Sequence, residues 1–124
     1  LGVDAFSACR RGPLSTRTRH PLFYYGHTHY LAHHVPAGTL TFEAAIHKMT
    51  GMVADHFGIR DRGYLRDGHV ADVVVFDPGV LSRTDTWAMP PGDYADAARH
   101  VWVNGVPVIA DARHTGRLAG RLLR

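Results

Sequence analysis

Residues 26–34, GHTHYLAHH, carry four histidines in nine positions, and His27 and His29 form a His-x-His pair. Imidazole is the commonest metal ligand in proteins. On a β-strand alternate side chains share a face, so His-x-His would aim both rings at one cation. The spacing alone does not decide the matter, because the element that carries it does. Residues 25–34 contain no proline and one glycine, which predicts a short helix stopped by the VPAG of residues 35–38. On a helix, positions i and i+2 diverge by about 200°. His27 and His29 are therefore read as solvated or partly packed helix residues, not as native ligands. His29 and His33, at i and i+4, share a face and could capture a metal adventitiously.

Other groups with chemistry are sparser. Asp4 ends LGVD, which reads as the end of a buried strand. Cys9 is the lone cysteine and lies in an arginine-rich loop, residues 7–19, where it reads as incidental. His47, His56, His69, His100 and His114 are scattered and read as surface or interface residues.

The composition narrows the field. At 124 residues and 45% hydrophobic, the chain suffices for one modest globular domain. One cysteine excludes an intramolecular disulfide, so a reducing cytoplasm is the expected compartment. No apolar run approaches a membrane span and no signal peptide opens the chain. The formal charge of +3 comes from 13 arginines and Lys48 against eleven acidic residues. Arginines gather toward both ends, at 10, 11, 17 and 19 and again at 113, 117, 121 and 124. Acidic residues are interleaved and no aromatic series accompanies them, so nucleic acid is not the expected partner.

The elements that must position these groups change character near Gly58. Before it, TFEAAIHKMTG is the clearest helix: Phe42, Ala45, Ile46 and Met49 recur at i, i+3, i+4 and i+7. Thr41 suits its N-cap and Glu43 its first turn. A second short helix over residues 52–57 would end on Gly58. After Gly58, VADVVVFD reads as a strand, and RHVWVNGVPVIAD as two strands joined by an Asn104-Gly105 turn. Pro107 puts its strand at an edge or turns its missing N–H away from the partner. Residues 80–96 read as a long loop. The whole is α+β, with about four short strands that do not obviously close a core by themselves.

Seven stretches resemble one family in order along nearly the whole chain. They are GVDA, GPL, HPLFYYG, LTFEAAIHKMTGMVADHFGI, DRGYLRDGHVADVVVFDP, VWVNGVPVIAD and HTGRLAGRLLR. The fifth is similar to a pattern shared across metal-dependent amidohydrolases, and the ordered set resembles the C-terminal part of N-acyl-D-amino-acid deacylases. The resemblance implies a TIM barrel with a small β-sandwich domain. Residues 1–58 would supply the end of the eighth barrel strand, an active-site loop and outer helices; residues 59–124 would supply most of the β domain. It implies that Asp4 binds Zn²⁺ or its water and is the general base in hydrolysis of N-acyl-D-amino acids. The other ligands would lie outside this chain, which alone would be inactive.

The family pattern is His-Pro-Arg where this chain has His20, Pro21 and Leu22, and its arginine pairs with the substrate carboxylate. Arg19, or Arg17, would have to take that role here. Leu22 leaves open an amidohydrolase of other specificity, dipeptidase-like or hydantoinase-like. A non-catalytic α+β module that binds a partner, or a metal through its histidines, is the reading from a different class. Asp72 follows Ala71 in the superfamily pattern and is expected to make a turn or strand-edge hydrogen bond.

Overall fold

The computed structural model describes residues 12, 13, 15, 20, 22–83 and 97–123. In chain order the elements are α1 (Leu22–His34), α2 (Phe42–Met49), α3 (Gly51–His56), β1 (Val73–Phe76), α4 (Pro78–Arg83), β2 (Ala98–Val103), β3 (Val106–Ala110) and β4 (Arg113–His114). The strands form one antiparallel sheet in the order β1-β2-β3-β4.

The helix α2 forms as its periodicity predicts. Thr41 caps it in extended backbone, its Oγ1 accepting the N–H of Ala44 at 3.2 Å. Ala45 is fully buried, and Phe42, Ile46 and Met49 pack against the same core. The helix α3 ends on the expected glycine. Gly58 takes φ +68°, its N–H reaches Asp55 O at 3.2 Å, and Ile59 N–H reaches Ala54 O at 2.8 Å. These two bonds make a Schellman motif, which satisfies carbonyls that the helix end would strand.

The helix α1 begins three residues before the expected start and is bent near it, with Tyr25 at φ −145° and ψ 23°. The expectation of a long loop over 80–96 is corrected at its start, because Pro78–Arg83 form α4. Asp77 caps this helix, its Oδ1 accepting the N–H groups of Gly79 at 2.8 Å and Val80 at 3.3 Å. Proline at the first helical position follows, where its missing N–H costs nothing. Residues 84–96 lie outside the described residues.

The helix α4 matters because it packs on α1. Leu81 joins Leu31, Ala45 and Ala97 in one buried cluster, with Tyr30, Phe42 and Phe76 around it. The core thus draws side chains from both sides of Gly58. The sheet itself is only half-buried, and Val74 and Val75 on β1 are exposed.

The β2–β3 hairpin turns on Asn104 (φ +51°) and Gly105 (φ +75°), the backbone of a type I′ turn. Pro107 does not lie on an edge strand, since β3 is flanked by β2 and β4. Val103 faces Val106 beside the turn and Trp102 faces Pro107 next to them. In such a ladder hydrogen-bonded and non-bonded pairs alternate, so the Pro107 nitrogen points away from β2. On that outer side β4 pairs only with Ile109 and Ala110, so no ladder bond is lost. A second tight turn, Asp111 (φ +48°) and Ala112 (φ +61°), leads into β4 without any glycine.

Candidate functional site

Asp4, Arg19 and Arg17, the residues expected to do chemistry, lie outside the described residues, as does Cys9. The described chain resumes at His20, which is exposed and whose carbonyl accepts the N–H of Phe23 at 3.0 Å as α1 begins. Leu22 is the first residue of that helix.

The histidine-rich segment is helical, as its composition predicts. His27 is exposed, and His29 is half-buried. The His29 ring lies against that of His33, centroids 4.1 Å apart and planes inclined 37°. His34 turns toward Tyr30, at 5.2 Å. Burial, and then the charges that His33 and His34 would carry, push the His29 imidazole below its ordinary proton affinity. The His-x-His pair is thus parted by helix geometry, and the i, i+4 pair is the one brought together. Among the described residues no three His, Cys, Asp or Glu side chains converge to hold a metal ion. The described residues therefore do not supply the metal site that the resemblance implies.

Asp72 makes the strand-edge bond expected of it, and more. Its Oδ1 accepts the backbone N–H of Asn104 at 2.7 Å, and its Oδ2 pairs with the Arg62 guanidinium. Arg62 also donates to Asn104 Oδ1 at 2.6 Å, and Asn104 Nδ2 donates to Ala119 O at 2.6 Å. The loop before β1, the hairpin turn and the C-terminal tail meet at this node. The carboxylate does structural work here: its oxygens are taken by an N–H and a guanidinium.

A second polar cluster was not legible in the sequence. Tyr64 lies over Gly51, where a Cβ would come within 2.4 Å of its ring. Its hydroxyl donates to Asp55 Oδ2 at 2.6 Å, and His47 Nε2 lies 3.3 Å from the Tyr64 hydroxyl oxygen. With that proton committed to Asp55, His47 must present Nε2–H. Arg66 sits 4.2 Å above the ring. The hydrogen bond to Asp55 holds the Tyr64 phenol above its ordinary pKa. The sequence separations are 9 and 17 residues, so no periodicity could have joined these groups. The only sequence signal was Gly51, small where an aromatic ring needs room.

No helix among the described residues is long and apolar enough to cross a membrane. Three comparisons bear on the chain as a whole. It is 39% identical over 105 residues to a D-aminoacylase of Alcaligenes xylosoxydans xylosoxydans, covering 84% of this chain and 22% of that one. It is 42% identical over 106 residues to an N-acyl-D-glutamate deacylase of the same organism, covering 85% and 21%. The chain thus spans about a fifth of the length of the curated relatives it matches. Its backbone superposes on a solved D-aminoacylase mutant in complex with CuCl2 with a TM-score of 0.74 at 36% identity, over 84% of this chain and 22% of that one. The sequence profile of the Amidohydrolase family matches residues 12–109, which are most of the chain, and the chain accordingly belongs to the amidohydrolase family.

Proposed function

We propose that this chain is part of a metal-dependent, cytoplasmic N-acyl-D-amino-acid deacylase. The supporting observation is the likeness to D-aminoacylase in both sequence and backbone over most of its length. In this reading residues 1–58 complete a TIM barrel and residues 59–124 form most of a small β domain. The cofactor is Zn²⁺, held mainly by side chains outside this chain. Asp4 is the proton carrier: its carboxylate takes a proton from the attacking water and delivers it to the departing amine nitrogen. A carboxylate ending a barrel strand faces the mouth where such enzymes work. Arg19 pairs with the substrate carboxylate, a task suited to a planar guanidinium. Leu22, in place of the arginine of the deacylase pattern, favours a second reading in which the same machinery acts on a different amide, dipeptidase-like or hydantoinase-like.

The test is hydrolysis of a panel of N-acetyl-D-amino acids, dipeptides and hydantoins by the full-length protein that contains this chain, beside Asp4→Asn and Arg19→Ala variants. Turnover of the N-acetyl-D-amino acids, lost with Asp4→Asn and raised in KM with Arg19→Ala, is the expected result. Full activity of Asp4→Asn would overturn the assignment of Asp4, and activity confined to another amide class would overturn the substrate. The 124-residue chain alone, supplied with Zn²⁺, is expected to be inactive; turnover above its own Asp4→Asn control would contradict that.

A further inference from the structure

His29 and His33 stand one helical turn apart on α1, with ring centroids 4.1 Å apart. One coordinate bond from a nitrogen of each imidazole spans about 2.0–2.1 Å, so a single cation can be shared by rings this close after small side-chain rotations. The backbone contributes the i, i+4 register that zinc-binding helices use to bring two histidines to one face. His33 is exposed and His29 half-buried, so a cation could reach the pair from solvent while one ligand is held by packing. His34 faces Tyr30 instead, which leaves two protein ligands and coordination positions for water.

We propose that His29 and His33 form a two-imidazole chelate for a borderline divalent cation such as Ni²⁺, Cu²⁺ or Zn²⁺. Imidazole suits these ions and not Mg²⁺ or Ca²⁺, which take oxygen ligands. A metal takes imidazole in its neutral form, so the site is expected to load at neutral pH and to empty on acidification. The site is independent of the role given to Asp4. Two ligands from one turn of a helix make an open site, so it binds and releases cations readily instead of burying one. It also ties residue 29 to residue 33, so occupancy would hold α1 together just beyond its bend at Tyr25.

The test is a titration of the isotopically labelled full-length protein that contains this chain with Ni²⁺ at neutral pH, read residue by residue as paramagnetic broadening of amide resonances. Broadening centred on residues 29–33 at substoichiometric Ni²⁺ is expected, with at least a tenfold loss of affinity in His33→Gln. His27→Gln and His34→Gln should bind as the parent does. His33 is exposed, so its variant keeps the fold, and circular dichroism checks this. Mg²⁺ added in excess should leave the broadening unchanged. Broadening centred elsewhere among the histidines, or undiminished in His33→Gln, would overturn the proposal, as would equal losses in all three variants.

Discussion

Gly63 passes so close to Ala54 that a Cβ built on it would lie 2.6 Å from the Cβ of Ala54. The carbonyl of Thr50 and the Cα of Gly51 would stand 3.1 and 3.2 Å away, and Gly63 has φ +82°. The loop after α3 can fold back over that helix only because this residue has no side chain. Gly63→Ala must bear both a left-handed backbone, at about 1–2 kcal/mol, and an overpacked contact, at about 1–3 kcal/mol. A loss of about 3 kcal/mol in denaturant unfolding is expected. Gly68 shares φ +82° but has nothing within 4 Å, so Gly68→Ala isolates the backbone part and should cost only about 1–2 kcal/mol. Equal losses would show that the contact with Ala54 is immaterial.

Asp72 satisfies two donors that have few alternatives. Asp72→Ala would leave the Asn104 N–H and one arm of Arg62 without their acceptor, a loss of about 1–3 kcal/mol. Asp72→Asn keeps an acceptor for Asn104 and should recover part of it. Thermal unfolding of the two variants measures the difference, and a parent-like midpoint for Asp72→Ala would contradict the role of the node.

Ala112 occupies φ +61°, where a side chain crowds its own backbone. Ala112→Gly relieves that crowding and gives back part of the gain as unfolded-state entropy. A net stabilisation of about 0.5–1 kcal/mol is expected, seen as a raised unfolding midpoint. A lowered midpoint would mean that the β3–β4 turn does not need its positive φ.

The pH response follows from His29, whose folded pKa lies below its ordinary 6.5 through burial and then the charges of His33 and His34. Below pH 6.5 the unfolded chain takes up a proton at this residue that the folded chain resists. The contribution of His29 to stability is therefore complete above pH 6.5 and is lost as pH falls through the lower folded value. Unfolding midpoints between pH 7 and pH 5 should fall more steeply in the parent chain than in His29→Gln. Parallel slopes would remove His29 as the cause.

Where local chemistry dictates structure, the sequence was readable. The apolar face of α2, the Thr41 cap, the Gly58 helix end and the Asn104-Gly105 turn were each set by a few adjacent residues. The Asp77-Pro78 start of α4 was equally local, but the surrounding proline and glycine obscured a six-residue helix. The Asp111-Ala112 turn escaped because alanine is a poor signal for positive φ. The Tyr64 cluster escaped for a different reason: its members meet only after α2, α3 and the following loop have packed. As for the site, helix geometry parts His27 from His29, while Asp4 came from the family pattern and Arg19 from its nearness to Leu22, where that pattern has arginine.

The Asp72–Asn104 bond also implies an order of assembly. It joins positions 32 residues apart, whereas the Asn104-Gly105 turn closes over its own neighbours. Closing the larger loop loses more chain entropy, which is recovered only when β1 has zipped onto β2. The β2–β3 hairpin should therefore be an early, self-nucleating piece, and β1 a late arrival that Asp72 latches in place. The tail follows last, since Ala119 is caught by the side chain of an asparagine already positioned by the turn.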